Sequence, residues 1–292
     1  MKRLGIVALE SSHVDQYCRI FNQPDFEHRL PDARITAICP QDENTQERVD
    51  ELAGTYGIET VVATPEEMIG VVDSAMMLGR DGAQHCGQTL PFLRAGIPCF
   101  VDKPFAHTME DADLMISTAR EHGVAITTSS AIRHASEFAE VDHDAVGEIK
   151  HVSLFGPGEL FFYGIHQTDI LMSLMGPGVE AVSNLREETM DLVSVTYGDG
   201  RSAQLQLIRG PSVRFGATLF GATGMADVRI TRYDYYVRQM VPYLKMIDTG
   251  EEPIPEAHMR EAVQILVAAD RSAKQGGRAV RLAEVYPWKR PF

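Results

Sequence analysis

The first third of the chain repeats one rhythm, a short apolar run followed by a stretch whose apolar residues recur every three to four positions. Leu4–Leu9 is the first run, and Val14, Tyr17, Cys18 and Phe21 follow at i, i+3, i+4 and i+7, the spacing of one buried helix face. "ARITAIC" predicts a second strand, and Val49, Leu52, Ala53 and Tyr56 mark a second helix. "TVVA" and "DSAMML" predict further strands, "GQTLPFLRAG" a helix ending at a glycine, and "PCFVD" another strand. "MEDADLMISTAREHG" reads as a helix with acids in its first turn and Gly123 at its end, as the helix dipole and the C-cap prefer. "VAITTS" closes the series. Such alternation implies a parallel sheet with right-handed crossovers.

After about residue 150 the pattern changes period. "KHVSLFG", "EAVSNLR", "DLVSVTY", "SAQLQLI", "RFGATLFG" and "MADVRI" alternate apolar and polar positions. Turn signals such as "YGDGRS" and "GATG" separate them. A largely antiparallel sheet is expected, with helices at "GIHQTDILMSLMG" and "MREAVQILVAADRSAKQGG". The predicted class is therefore α/β over residues 1–126, followed by an α+β domain with an open, mainly antiparallel sheet over 127–292.

Composition narrows the partners. The chain has 292 residues, 44% hydrophobic and 23% charged, with a net charge of −14 from 27 basic and 41 acidic residues. That balance disfavours nucleic acid and anionic membrane surfaces, both of which need basic faces. No apolar run approaches a membrane span. In "MKRLGIVALE" the apolar stretch before Glu10 is too short for a signal peptide. The four cysteines, Cys18, Cys39, Cys86 and Cys99, lack the paired spacing of a metal or redox site. Reduced thiols and a cytoplasmic location are expected, with no metal.

Several stretches, taken in order, carry a resemblance. "DSAMMLGRDGAQHCGQTLPFLRAGIPCFVDKPFAHTMEDADLM" contains His85 and then Asp102-Lys103-Pro104; "VGEIKHVSLF", "GIHQTDILMSLMG", "YLKMIDTGEEPIP" and "ILVAADRSAKQGGRAVRL" follow. Together they resemble the Gfo/Idh/MocA oxidoreductases, named for glucose–fructose oxidoreductase, inositol dehydrogenase and a rhizopine-catabolism protein. The resemblance implies a Rossmann-type dinucleotide-binding domain and a substrate and oligomerisation domain, with the active site between them. It further implies NAD or NADP as cofactor, a small polyhydroxyl or acidic substrate, and a homodimer or homotetramer.

By the same resemblance Lys103, at a strand's C-terminal end, stands beside nicotinamide and substrate, and the Lys103–Pro104 bond is cis. His166 is the catalytic histidine. A neutral imidazole can take a hydroxyl proton as hydride leaves carbon. Asp169, three residues on, shares its helix face and is expected to orient the ring. Arg80, Asp81 and His85 belong to a loop passing over the cofactor, with Arg80, His85, Lys103 and Pro104 as cofactor contacts. Arg133 and Tyr163 are expected at the substrate. Without the resemblance, Lys103 reads as an ordinary solvated strand-end lysine and His166 as part of a polar helix stripe.

Three departures stand against the pattern. Phe162 occupies the place of an aspartate that shares the acid–base work. Ala8, Glu10 and His13 occupy the three glycine positions of the opening loop, which normally allow a tight turn and close approach to pyrophosphate. A carboxylate there opposes a diphosphate by about a kcal/mol or more. Pro40 stands where a ribose-binding acid ends the second strand, with Asp42 two residues late, and no nearby basic residue selects NADP. For "ESSHVDQY" two further readings stay open. Ser12 and Asp15 resemble a capping box, or Glu10 and His13 form a ligand or metal site. Glu10, Ser11, Ser12 and His13 are the expected loop contacts to the cofactor, since helix N-termini hold anions. The sequence thus supports a hydride-transferring oxidoreductase acting on a sugar, polyol or related hydroxy compound. The alternative is a non-redox descendant, a binding or regulatory protein or a lyase or isomerase, that has lost its dinucleotide.

Overall fold

The computed structural model describes residues 1–41, 45–210 and 213–285. Asp42 therefore lies outside the described residues. In chain order the first elements are β1 (Lys2–Val7), α1 (Ser12–Asn22), β2 (Ala33–Cys39), α2 (Gln46–Tyr56), β3 (Thr60–Val61), β4 (Ser74–Met77), α3 (Gly82–Arg94), β5 (Cys99–Val101), α4 (Met109–His122) and β6 (Ile126–Thr128). Next come α5 (Ser136–Ala139), α6 (His143–Val146), β7 (Ile149–Pro157), α7 (Leu160–Met175), β8 (Val179–Arg186), β9 (Met190–Tyr197) and β10 (Ser202–Ile208). The chain closes with β11 (Gly216–Gly221), β12 (Met225–Arg229), α8 (Tyr235–Thr249), α9 (Glu256–Lys274), β13 (Val280–Arg281) and α10 (Leu282–Val285).

The chain divides into two compact units. The first is 1–106, 110–129 and 236–255; the second is 107–109, 130–235 and 256–292. A single cut after residue 126 misses one detour, because α8 packs with the first unit. Tyr243 on α8 is 1% exposed, and its hydroxyl meets Ser74 Oγ at 2.6 Å. Tyr17 on α1 likewise bonds Gln239 Oε1 at 2.7 Å.

In the first unit six strands lie in the order β3-β2-β1-β4-β5-β6, all parallel. This is the doubly wound Rossmann arrangement, whose direction of winding reverses between β1 and β4. The strands are buried on both faces, as parallel strands under helices must be, and Leu4, Ile6 and Val7 have no exposed surface. The predicted face of α1 is the buried one, with Val14, Tyr17, Cys18 and Phe21 all at 0% exposure. Its cap differs from the predicted one. Ser11, not Ser12, is the N-cap and accepts from His13 N, while Asp15 pairs with Arg48 at 2.8 Å. Thr45 caps α2 through Arg48 N, and Gly57 ends it in the left-handed region, the usual glycine stop.

The second unit holds a seven-stranded sheet in the order β12-β11-β7-β10-β9-β8-β13. Pairing is antiparallel except between β7 and β10. Along β7, Val152 and Leu154 are buried at alternate positions, as one covered face requires. Helix α7 covers that face and is itself covered by α9. A Cβ on Gly164 would lie 2.9 Å from Leu207 of β10 and 3.2 Å from Leu266 of α9, so only glycine permits this close sandwich. That double covering explains why α7 buries residues on every side, the polar His166, Gln167, Thr168 and Asp169 among them.

Candidate active site

In the first unit the loops that follow β1, β4 and β5 converge at the carboxyl ends of the strands, where open α/β sheets take ligands. Ala8 leaves β1 with φ of 65°, a left-handed conformation that favours glycine. The tight turn of a glycine-rich loop is therefore kept without its first glycine. Glu10 Oε1 accepts Arg80 N at 2.8 Å, spanning the reversal point between β1 and β4. Ser11 Oγ is engaged by the helix cap, and Ser12 is exposed.

His13 does not face an open loop. It is 8% exposed, and its Nδ1 lies 2.7 Å from Asp102 Oδ2 at the end of β5. The edges of Tyr17 and Tyr236 flank its ring. Burial raises the Asp102 pKa, but His13 and then Lys103 outweigh it, and the net direction is down. The other carboxylate oxygen, Oδ1, is buried without a hydrogen-bond partner. Lys103 is 6% exposed. Burial lowers its pKa and Arg80 pushes the same way, against the pull of Asp102. The Lys103–Pro104 bond is cis, as the resemblance implies.

His85 differs from its expected role. It sits inside α3 rather than on a loop, with no exposed surface. Its Nδ1 lies 2.9 Å from Pro104 O and its Nε2 3.0 Å from Gly79 O. Both oxygens are carbonyls, so the neutral ring donates to one of them and only lies against the other, lodged between the β4 and β5 loops. Burial lowers its pKa. In this position it packs against the loop that carries Lys103. Asp81, expected beside it on the loop, is the N-cap of α3 and accepts from Ala83 N.

In the second unit His166 stands on α7, 6% exposed. Phe215 meets its ring at 5.0 Å and Tyr163 at 6.0 Å between centroids. Phe162 stacks edge-on to Tyr163 at 4.9 Å. Asp169 shares the helix but is not seen to orient His166. It accepts Ser130 N at 2.7 Å through one oxygen and Arg133 Nη1 at 2.5 Å through the other. Burial nevertheless raises the Asp169 pKa, against the pull of Arg133. Arg133, expected at a substrate, is committed to this pair, with its side chain 8% exposed. The residue in contact with His166 Nδ1 is Ser130, whose Oγ lies 2.6 Å away. Sequence reasoning missed it, because 36 positions separate the two.

Comparison with known proteins bears on the fold. Residues 19–130 match the model of the oxidoreductase family with an NAD-binding Rossmann fold, Gfo/Idh/MocA. The match covers 112 of the chain's 292 residues, and over them the chain is similar to that family. A 1,5-anhydro-D-fructose reductase from Ensifer adhaerens is 36% identical over 103 residues, which are 35% of this chain and 31% of the reductase. The aligned part thus spans about a third of that relative. A probable dehydrogenase from Thermotoga maritima superposes with a TM-score of 0.82 at 18% identity, covering 97% of this chain and 100% of the other. Myo-inositol 2-dehydrogenase from Lactobacillus plantarum gives 0.83 at 15% identity, over 96% and 99%. At these identities the superpositions speak for fold alone.

Similarity to that family raises the question of whether this loop suits a dinucleotide. The left-handed turn at Ala8 fits one, and the Arg80 amide accommodates the Glu10 carboxylate. Arg80 and Lys103 stand on the neighbouring strand-end loops, and each supplies positive charge. Among the described residues no group of His, Cys, Asp or Glu is arranged to hold a metal ion, and no helix is long and apolar enough to cross a membrane.

Proposed function

We propose that this chain is an NAD(P)-dependent oxidoreductase acting on a sugar, polyol or related hydroxy compound, with Lys103 and His166 as its polar reacting groups. The observation that carries the reading is Lys103, a buried ammonium at the carboxyl end of a Rossmann strand, kept beside the ionised Asp102. A lysine whose burial lowers its pKa is suited to exchange or share a proton with a substrate oxygen. The β1, β4 and β5 loops would hold the dinucleotide, with Arg80 and Lys103 offering positive charge to it, and the bound nucleotide would supply the hydride. His166 binds the substrate oxygen and balances the charge that develops on it. Phe162 cannot relay protons, which leaves His166 and Lys103 to do that work without the expected aspartate. The wall of Tyr163 and Phe215 beside His166 supports a substrate with an apolar face of C–H bonds, as a sugar ring has.

The test is turnover of oxidised or reduced nicotinamide, followed by absorbance, across a panel of aldoses, ketoses, inositols and sugar acids. Turnover abolished by His166→Asn would support the reading. No turnover with any member, by a chain shown to be folded, would contradict it.

A further inference from the structure

Ser130 Oγ has two polar neighbours, and they settle which way its proton points. The residue is 1% exposed, so bulk water does not serve its hydroxyl. Ile132 N donates to Oγ at 3.2 Å, and an amide N–H has nothing to accept with. The remaining neighbour is His166 Nδ1, at 2.6 Å. A proton on Nδ1 would leave the serine hydroxyl buried with no acceptor, an arrangement folded proteins avoid. The hydroxyl therefore donates, Nδ1 accepts, and a neutral ring carries its own proton on Nε2. Tautomers are fixed by the partner of the other ring nitrogen in just this way.

We propose that Ser130 is a positioning residue that holds neutral His166 in the Nε2–H tautomer, so that the resting site offers a substrate oxygen a hydrogen-bond donor. This rests on the functional reading above and deepens it, since a donor suits the carbonyl form of the substrate, a keto sugar or aldehyde awaiting hydride. Ser130 is itself held. Its amide donates to Asp169, and Arg133 fixes the other oxygen of that carboxylate. The charged and titratable groups of this network are Asp169 on α7, Arg133 on the 131–134 turn and His258 on α9, which feels the charge of both. Tyr163 and Phe215 complete the wall. In this arrangement Asp169 acts on His166 through Ser130.

The experiment is nitrogen-15 NMR of the imidazole in chain labelled at histidine, with His166 assigned through its own backbone, without cofactor or substrate. Wild type should show the Nε2–H pattern at neutral pH. Ser130→Ala should shift His166 to a mixture or to Nδ1–H, and Ser130→Thr should restore the first pattern. An Nδ1–H pattern in wild type overturns the proposal, as does an unchanged tautomer in folded Ser130→Ala. Because the readout needs no turnover, it fails or succeeds separately from the enzymatic reading. Where reductive turnover is measured, Ser130→Ala should lower kcat roughly 10- to 100-fold while KM moves less than about threefold, with Thr restoring it.

Discussion

In the proposed reading, cofactor and substrate binding depend on the opposed charges of Lys103 and Glu10. Removing the ammonium while keeping the length of the side chain, as Lys103→Met does, should lower kcat by about 100-fold or more, the usual contribution of a positioned proton-transferring group. Steady-state kinetics on the two chains checks this. Glu10→Gln keeps an oxygen for the Arg80 amide and removes the charge facing a diphosphate. Nucleotide affinity should rise about tenfold, equal to about 1.4 kcal/mol, as read by fluorescence titration of NADH. The motif Asp102-Lys103-Pro104 made Lys103 legible in the sequence. What lay beyond reading was the pairing of His13 with Asp102 across 89 positions, because a third glycine replaced by histidine says nothing of where its ring goes. The same holds for Ser130, whose type and neighbours in the chain carry no signal of the histidine it meets.

At the scale of elements, the two periods of apolar residues placed β1 to β12 and the helices α1 to α4, α7 and α9, but not α8 or β13. The parallel and antiparallel sheets follow from them, because burial on both faces and burial on one face write different patterns. The helix containing His166 begins earlier than its motif, at Leu160, because Phe161, Phe162 and Tyr163 are apolar residues that packing draws into the first turn. Phe215 lies over the backbone of β7. A Cβ at Gly156 would stand 2.3 Å from its Cδ1. Gly156→Ala should push Phe215 off its place against His166 and raise KM several-fold with little change in secondary structure, as kinetics and circular dichroism would report. Asn22, 4% exposed, closes α1 on the sheet. Its amide nitrogen donates to Ile35 O and Tyr56 O, and its oxygen accepts Ile35 N. Asn22→Ala strands these groups and should cost about 2–4 kcal/mol in urea unfolding. Asparagine at a helix end reads as a cap in any sequence, so its link to a strand was not legible.

Over the whole molecule, acid should weaken both units. His85 in the first and His258 in the second have pKa values lowered by burial from the ordinary 6.5. Above that value neither the folded nor the unfolded chain binds a proton at these rings. Below it the unfolded chain takes up protons that the folded chain resists, so stability falls as pH falls, until the folded values are reached. Thermal unfolding between pH 7.5 and 5, in the range set by the shift, should show a declining midpoint, and His85→Gln should flatten the decline. A midpoint independent of pH in the wild-type chain would refute neutral buried histidines. The net charge of −14 adds a general repulsion that works against stability at high pH, so the two trends have opposite signs and are separable.

The central claim is that a Rossmann fold without its glycines still holds a dinucleotide. Titration calorimetry with NAD⁺, NADH, NADP⁺ and NADPH, after absorbance has shown that none co-purifies, tests it most directly. Micromolar binding by at least one of the four, tightened by Glu10→Gln, is the predicted result. No heat at millimolar nucleotide from a folded chain would contradict it, and would leave Glu10, His13, Asp102 and Lys103 as a site for some other ligand.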